Sequence, residues 1–232
     1  MVSIYYLLMN SNFCWIDQGG KIRDVFLELW HNHDEGVFPN LGKETNMVKV
    51  LIVYASDHGS VEKMAKALAD GVRTVTDCEA VIKKAEDAKM DDLVSCDALV
   101  LGSPVHMGSI DWRVKKFIDT VCSGAWMQDK IVGKVGAVFA SGAGYGGGGS
   151  GCELTMLALL NNIAELGLII VPLPKSTPGY PLAGLQWGPY GRAHAEDLSP
   201  KGLSDDQVVS SQHHGKHIAR AAKALKGAAI FG

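Results

Sequence analysis

Three short stretches of this chain carry residues suited to holding a ligand: "SDHGSV" (56–61), "SPVHMGS" (103–109) and the glycine-rich "FASGAGYGGGGSG" (139–151). In the first, Ser56, Asp57, His58, Gly59 and Ser60 precede Val61, where an amphipathic helix begins. Two hydroxyls, a glycine and the unpaired N–H groups of a helix start make an anion cradle, and the helix dipole favours negative charge there. A phosphate group suits it. The loop is not GxxxxGK[ST], so no lysine reaches outer phosphates and a triphosphate with magnesium is not expected. Ser and Asp are also ordinary helix caps, which leaves a plain N-capped turn as the alternative.

In the second stretch, Pro104 fixes its own backbone angle and pushes Ser103 toward an extended shape. Val105, His106 and Met107 follow, and Gly108 permits a tight return before Ser109, so the loop can present backbone groups to a planar ligand. Ser-Pro is also an ordinary turn starter. The third stretch includes Ser141, Gly142, Ala143, Gly144, Tyr145 and Gly146, and Gly142, Gly144 and Gly147 spell a literal GxGxxG. A dinucleotide site expects an acidic residue at the end of the next strand; here that strand ends in Leu173, Pro174 and Lys175, and Glu165 lies in a helix. What remains attractive is a loop whose backbone approaches a flat ring closely. A flexible solvent loop is the bland alternative.

The elements that must position these stretches follow from periodicity. "VKVLIVYAS", "CDALVLGS", "GKVGAVFAS" and "GLIIVPL" are apolar runs of buried-strand length, and "EAVIKKA" is a shorter strand. Between them, Val61, Met64, Ala65, Leu68, Val72 and Val75 share one helical face, as do Val114, Phe117, Ile118 and Val121. "AKMDDLVS" reads as a short helix and residues 152–166 as a longer one. A capping box from Ser204 to Gln207 opens the last helix, which turns Ile218, Ala221, Ala222 and Leu225 inward. Residues 174–202 read as irregular. Five strands alternating with five helical segments predict an α/β fold with a doubly wound parallel sheet. Ligands then bind outside the carboxyl ends of the strands, after Ala55, Gly102 and Ala140.

The pattern occupies residues 47–232. Residues 1–46 do not fit it and are expected to be a disordered extension or a non-native start, although "IRDVFLELW" could place Ile22, Val25, Phe26, Leu29 and Trp30 on one helical face. The 232 residues are 47% hydrophobic with a net charge of −3. Residues 1–46 hold 3 basic and 6 acidic side chains and thus all of that charge. A balanced domain without a basic stripe gives no sign of a nucleic-acid partner. No apolar run reaches the roughly 18 residues of an integral membrane segment. Five scattered cysteines without a CxxC pair point to a reducing, cytoplasmic setting rather than a disulfide framework.

Together the three loops resemble the flavodoxin-like fold. Within it, "KVLIVYASDHGSVEKMAKALADG", "GSPVHMGSIDWRVKKFIDT", "LGLIIVPLP" and "GPYGRAHAED" resemble the WrbA family of NAD(P)H:quinone oxidoreductases, over residues 47–225. The resemblance implies a five-stranded parallel sheet of order 2-1-3-4-5 with helices on both faces. It also implies FMN as cofactor, NADH or NADPH as hydride donor, a quinone substrate, and a homodimer or homotetramer. Ser56, Asp57, His58, Gly59, Ser60 and Val61 would hold the FMN phosphate. Pro104, Val105, His106, Met107, Gly108 and Ser109, with Ser141, Gly142, Ala143, Gly144, Tyr145 and Gly146, would flank the isoalloxazine ring. Trp126 stands about where a neighbouring subunit's tryptophan closes the site, Tyr190 lies near its mouth, and His58 falls beside the nicotinamide nucleotide. Two departures from the family are Leu166, preceded by Glu165, in place of a histidine, and the short "EDAKMDDLVS" where many relatives carry an insertion.

On this reading the flavin carries the chemistry and no catalytic side chain is required, with His106 the candidate donor of a proton or hydrogen bond. The rival is a flavodoxin-type one-electron carrier, a class that is usually strongly acidic, unlike this domain. His213 and His217, one helical turn apart beside His214, lack a third ligand by spacing and read as a solvated face, without a metal. The pair His31 and His33 carries less weight. Trp112 and Trp187 read as buried packing.

Overall fold

Alternation along the first apolar run decides the architecture. In β1 (Val48–Tyr54), Leu51 and Val53 pack to one side, while Val50, Ile52 and Tyr54 pack to the other, and all five are buried. A strand apolar on both faces needs helices on both, which is the doubly wound arrangement. The computed structural model describes residues 14–16, 22–24, 47–144, 149 and 151–231. The chain divides into two units, Met1–Thr45 and Asn46–Gly232. In the first unit, two three-residue strands, Cys14–Ile16 and Ile22–Asp24, pair antiparallel. Ile22 is therefore extended rather than helical, its backbone partnered by Ile16. Val25, Phe26, Leu29, Trp30, His31 and His33 lie outside the described residues.

In the second unit β1 leads to α1 (Ser60–Arg73), β2 (Cys78–Lys84), α2 (Met90–Ser95), β3 (Ala98–His106) and a short β4 (Ser109–Ile110). Then come α3 (Trp112–Phe117), a π turn over Ile118–Cys122, α4 (Ser123–Trp126), β5 (Val135–Gly142) and α5 (Cys152–Glu165). The chain finishes with β6 (Ile169–Ile170), α6 (Tyr180–Ala183), β7 (Gly184–Leu185), β8 (Gly188–Arg192) and α7 (Asp205–Leu225). The sheet order is β2-β1-β3-β5-β8-β7, with β2, β1, β3, β5 and β8 parallel. Its first four places follow the expected order 2-1-3-4.

The fifth place is shared. The sequence predicts one strand over 167–173, but only Ile169 and Ile170 pair, opposite Val135 and Gly136. Pro172 and Pro174 have no N–H to donate, so the ladder stops and the chain leaves the sheet. It returns as β8, which reads as part of an irregular stretch, and there Tyr190, Gly191 and Arg192 pair with Ala140, Ser141 and Gly142. The second stretch differs too. Ser103–His106 extend β3 rather than forming a loop, and a two-residue turn at Met107 and Gly108 returns the chain to β4. Both turn residues have positive φ, 49° and 78°, which suits the twist of a tight hairpin.

Phe117, Met156, Leu159 and Ile163 cover one face of the sheet, and Met64, Leu68, Ile218 and Ala222 the other. On the second face α1 and α7 cross where each carries a glycine. A Cβ on Gly71 would sit 1.8 Å from the Gln212 oxygen, and one on Gly215 would sit 2.0 Å from the Leu68 oxygen. The backbones touch because neither residue has a side chain. His214, beside Gly215, is consequently fully buried rather than on a solvated face, its Nε2 3.1 Å from the Val171 carbonyl. His213 and His217 are half-buried. Trp187 packs against the core as expected, but Trp112 is 65% exposed, because α3 turns Val114 and Phe117 inward and leaves Trp112 outside.

Burial pushes the His214 imidazole down from its ordinary value to about 4. The neutral ring donates to Val171, whereas charging it would put an unpaired cation in the core. The unfolded chain therefore takes up the proton first as pH falls. The stability that His214 confers is complete above about pH 6.5 and lost progressively down to about pH 4. Urea unfolding should show a loss of about 2 kcal/mol from pH 7 to pH 5, and a His214→Gln variant should show a smaller loss.

Candidate functional site

The carboxyl ends of β1, β3 and β5 meet the end of β8 around a cleft of about 210 Å³. Its walls are Ser56, Asp57, His58, Ser60 and Val61; Pro104, Val105 and His106; Ser141, Gly142 and Ala143; and Ala193 with His194. All three stretches singled out in the sequence contribute, because parallel strands start their loops at the same edge.

The first stretch is a helix entry of the expected kind, with a glycine rather than a serine at the cap. Gly59 is the N-cap of α1 at φ 82°, a left-handed conformation that glycine adopts without strain. Ser56 Oγ accepts from the amides of Gly59, at 3.1 Å, and Glu62, at 3.4 Å. Among the described residues no hydrogen bond is made by the amides of Ser60 and Val61, which leaves donors for an anion. His58 meets His194 edge to face, with ring centroids 6.2 Å apart. His194 Nδ1 is buried without a partner, a polar atom available to something in the cleft.

The second stretch brings together charges that are far apart in sequence. Asp111 is fully buried at the cap of α3, and its carboxylate accepts from the amide of Arg113 at 2.8 Å and from its guanidinium at 2.9 and 2.7 Å. The same Arg113 Nη2 reaches Asp57 Oδ2 at 2.9 Å. His106 spans both acids, Nδ1 2.9 Å from Asp111 and Nε2 3.2 Å from Asp57. Ser103 Oγ, itself buried, accepts the Asp111 amide at 2.9 Å and donates to the Pro104 carbonyl. Burial pulls the Asp111 carboxyl upward, but the hydrogen bonds and charge of Arg113, helped by His106, outweigh it and hold it below the usual carboxylate range. Among the described residues, Asp57, His106 and Asp111 form the grouping that could surround a metal ion, and the guanidinium of Arg113 already supplies its cationic charge.

In the third stretch Ser141 and Gly142 are the last residues of β5, and Gly144 has φ 84°. Arg192 Nη2 donates to the Gly144 carbonyl at 2.9 Å. Tyr145 and Gly146 lie outside the described residues. Met107, Gly108 and Ser109 form the exposed hairpin tip rather than a wall of the cleft, and Met107 is fully exposed. Trp126 is not on the wall either; it borders a separate hollow with Ile118, Asn162 and Leu166. Tyr190 packs against the core, and the residues of its segment that reach the cleft are Ala193 and His194. Sequence reasoning missed Ser103, Asp111, Arg113 and His194 as site residues. The Asp-x-Arg spacing at a helix start was the one available signal.

A larger cavity of about 400 Å³ lies at the opposite end of the sheet, among Asp97, Lys134, Lys226 and residues 227–231. Its charges are already satisfied. Lys226 pairs with Asp97 at 3.0 Å, and Lys134 donates to the carbonyls of Leu93 and Val94.

Sheet order and the position of the cleft define a flavodoxin-like protein. A flavodoxin-domain family model matches residues 51–141. The crystal structure of a "flavodoxin, WrbA-like protein" from Agrobacterium tumefaciens superposes with a TM-score of 0.58 at 24% identity, covering 77% of this chain and 99% of that one. In sequence, the chain is 31% identical over 204 residues to "NAD(P)H dehydrogenase (quinone) 3" of Rhizobium meliloti, covering 78% of this chain and 94% of that protein. It is also 35% identical over 120 residues to a flavodoxin of Aquifex aeolicus, a match spanning 64% of that protein. The chain belongs to the WrbA family of flavodoxin-like NAD(P)H:quinone oxidoreductases.

Removing the guanidinium would strand a buried carboxylate. Arg113→Met should lower unfolding free energy at pH 7 by about 3 kcal/mol, and by less at pH 4, where Asp111 protonates instead. Urea titrations at the two pH values measure both effects.

Proposed function

We propose that the protein is an FMN-dependent NAD(P)H:quinone oxidoreductase whose active unit is residues 47–232. The observation that carries this is the cleft itself: a helix start with free amides at one end, and the polar edges of two further strands beside it. The residues fit the group. Ser56, Ser60 and the amides after Gly59 suit a phosphate, the segments at 104–106 and 141–144 suit a flat ring, and His194 Nδ1 offers a further polar contact.

When bound, FMN supplies the redox chemistry, accepting a hydride from NADH or NADPH and passing both electrons to a quinone. This chain's part is to bind and orient. The start of α1 holds the phosphate, Pro104 and Val105 fix one side of the ring, and Ser141, Gly142 and Ala143 bring backbone to the other. His58, exposed at the rim, stands where a nicotinamide nucleotide would enter. His106 is less free to donate a proton than its sequence suggests, because both ring nitrogens are engaged by carboxylates. Trp126, exposed and off the cleft, acts in this reading by closing the site of a second copy in a homodimer or homotetramer. Among the described residues no helix is long and apolar enough to cross a membrane. Cys78, Cys96, Cys122 and Cys152 are free thiols, which agrees with a cytoplasmic setting.

The test is anaerobic. With FMN bound, addition of NADH or NADPH should bleach the flavin's visible absorbance, and benzoquinone should restore it at one quinone per nucleotide. No response to either nucleotide, with chemical reduction resolved into two one-electron stages, would instead identify an electron carrier.

A further inference from the structure

Beside the cleft lies a second hollow, of about 350 Å³, bordered by Arg192 at the end of β8, by Lys201, and by Ser204 and Gln207 at the start of α7. Its donors are unspent. Arg192 uses Nη2 on the Gly144 carbonyl, while its Nε is buried with no partner. Gln207 is only 4% exposed. Because its Oε1 accepts the Ser204 amide at 2.9 Å, the side-chain NH2 is the end left over, and it makes no hydrogen bond among the described residues. The Lys201 ammonium likewise has no hydrogen bond or ion pair among the described residues.

No carboxylate lines this hollow. Asp205 and Asp206 follow Ser204 in the first turn of α7, but neither borders it. Two cations and a buried amide donor, with no acid among them, fit an anion, and a guanidinium beside an ammonium suits phosphate oxygens in particular. The hollow also adjoins the cleft. The amides of Lys201 and Gly202 both donate to the Ala193 carbonyl, at 2.9 and 3.2 Å, and Ala193 is part of the cleft wall. His194, next in the chain, meets His58 at the rim assigned above to the entering nicotinamide nucleotide.

We propose that this hollow is the subsite for the 2′-phosphate of NADPH, with Arg192, Lys201 and Gln207 as its donors, and that the protein therefore prefers NADPH to NADH. The inference rests on the reading of the cleft as an NAD(P)H-dependent flavin site. A phosphate monoester carries about −1.5 to −2 charge near pH 7, which two cations balance. Each phosphoryl group of the pyrophosphate bridge, common to both nucleotides, carries a single charge and matches the pair less well. An arginine beside the ribose is also the general means by which proteins accommodate a 2′-phosphate. The nucleotide then spans Ala193, with its adenosine end at the hollow and its nicotinamide end at the cleft.

Calorimetric titration of the FMN-loaded protein with 2′,5′-ADP and with 5′-AMP, which differ only in the 2′-phosphate, tests this. The dissociation constant should be about tenfold lower for 2′,5′-ADP. Half-saturation of anaerobic flavin bleaching should favour NADPH over NADH by a similar factor. Lys201→Gln, on an exposed side chain, keeps the backbone bond to Ala193 and should cut both ratios about fivefold, as should Arg192→Gln. Equal affinity for the two adenine nucleotides in the wild type, or ratios unchanged in both variants, would overturn the subsite and leave the reductase standing. A parallel loss of affinity for NADH and NADPH in the variants would put the shared pyrophosphate there and overturn the 2′-phosphate assignment. A protein that binds no FMN, or whose flavin neither nucleotide bleaches, would overturn the reading of the cleft and this inference with it.

Discussion

A parallel sheet buried on both faces has one place left for polar chemistry, and the rest of this molecule depends on that constraint. Leu51 and Val53 face one layer of helices while Val50, Ile52 and Tyr54 face the other, so no side chain in the middle of β1 can meet water or a ligand. Loops and helix starts at the strands' carboxyl ends must do all the binding. Three of them converge because β1, β3 and β5 are neighbours in register, with Gly102 opposite both Tyr54 and Phe139. The opposite end of the sheet has the larger hollow, but its lysines are already paired with a carboxylate or with carbonyls.

The second layer of organisation is charge balance. Asp111 is fully buried and remains ionised because Arg113 donates to it from both backbone and side chain. The same guanidinium reaches Asp57, so the start of α3 is fastened to the entry of α1. His106 closes this circuit from the end of β3. Two carboxylates at this edge of the cleft thus share the one guanidinium of Arg113. The wall at residues 141–143 is built from backbone and small side chains, and the start of α1 offers amides and hydroxyls.

Much of this was legible in the sequence, for reasons that can be stated. Four of the five strand-length runs, helical stripes such as Val61, Met64, Leu68 and Val72, and the Ser204–Gln207 capping box are local signals that appear where expected. That Ser56–Val61, Pro104–Ser109 and Ser141–Gly146 follow neighbouring strands at one edge of the sheet was legible, because the carboxyl-end rule needs only the strand positions, and residues 56–58, 60–61, 104–106 and 141–143 of them line the cleft. The cluster of Asp57 with Arg113 was not, since these residues are 56 positions apart and nothing local announces their meeting. His214 was misread because its burial comes from the crossing of two helices at Gly71 and Gly215, which lie 144 residues apart in the chain. The fifth strand was misread because two prolines end it early and a distant segment completes it.

The central claim is that one cleft receives a phosphate at the start of α1 and a flat ring between the ends of β3 and β5. Amide chemical-shift mapping of the isotopically labelled protein, titrated first with riboflavin and then with FMN, tests it most directly. Both ligands should move the amides of Val105, His106, Gly142 and Ala143, and only FMN should move those of Gly59, Ser60 and Val61. Shifts confined to Lys134, Lys226 and residues 227–231, or identical shifts at Ser60 and Val61 with both ligands, would contradict the account.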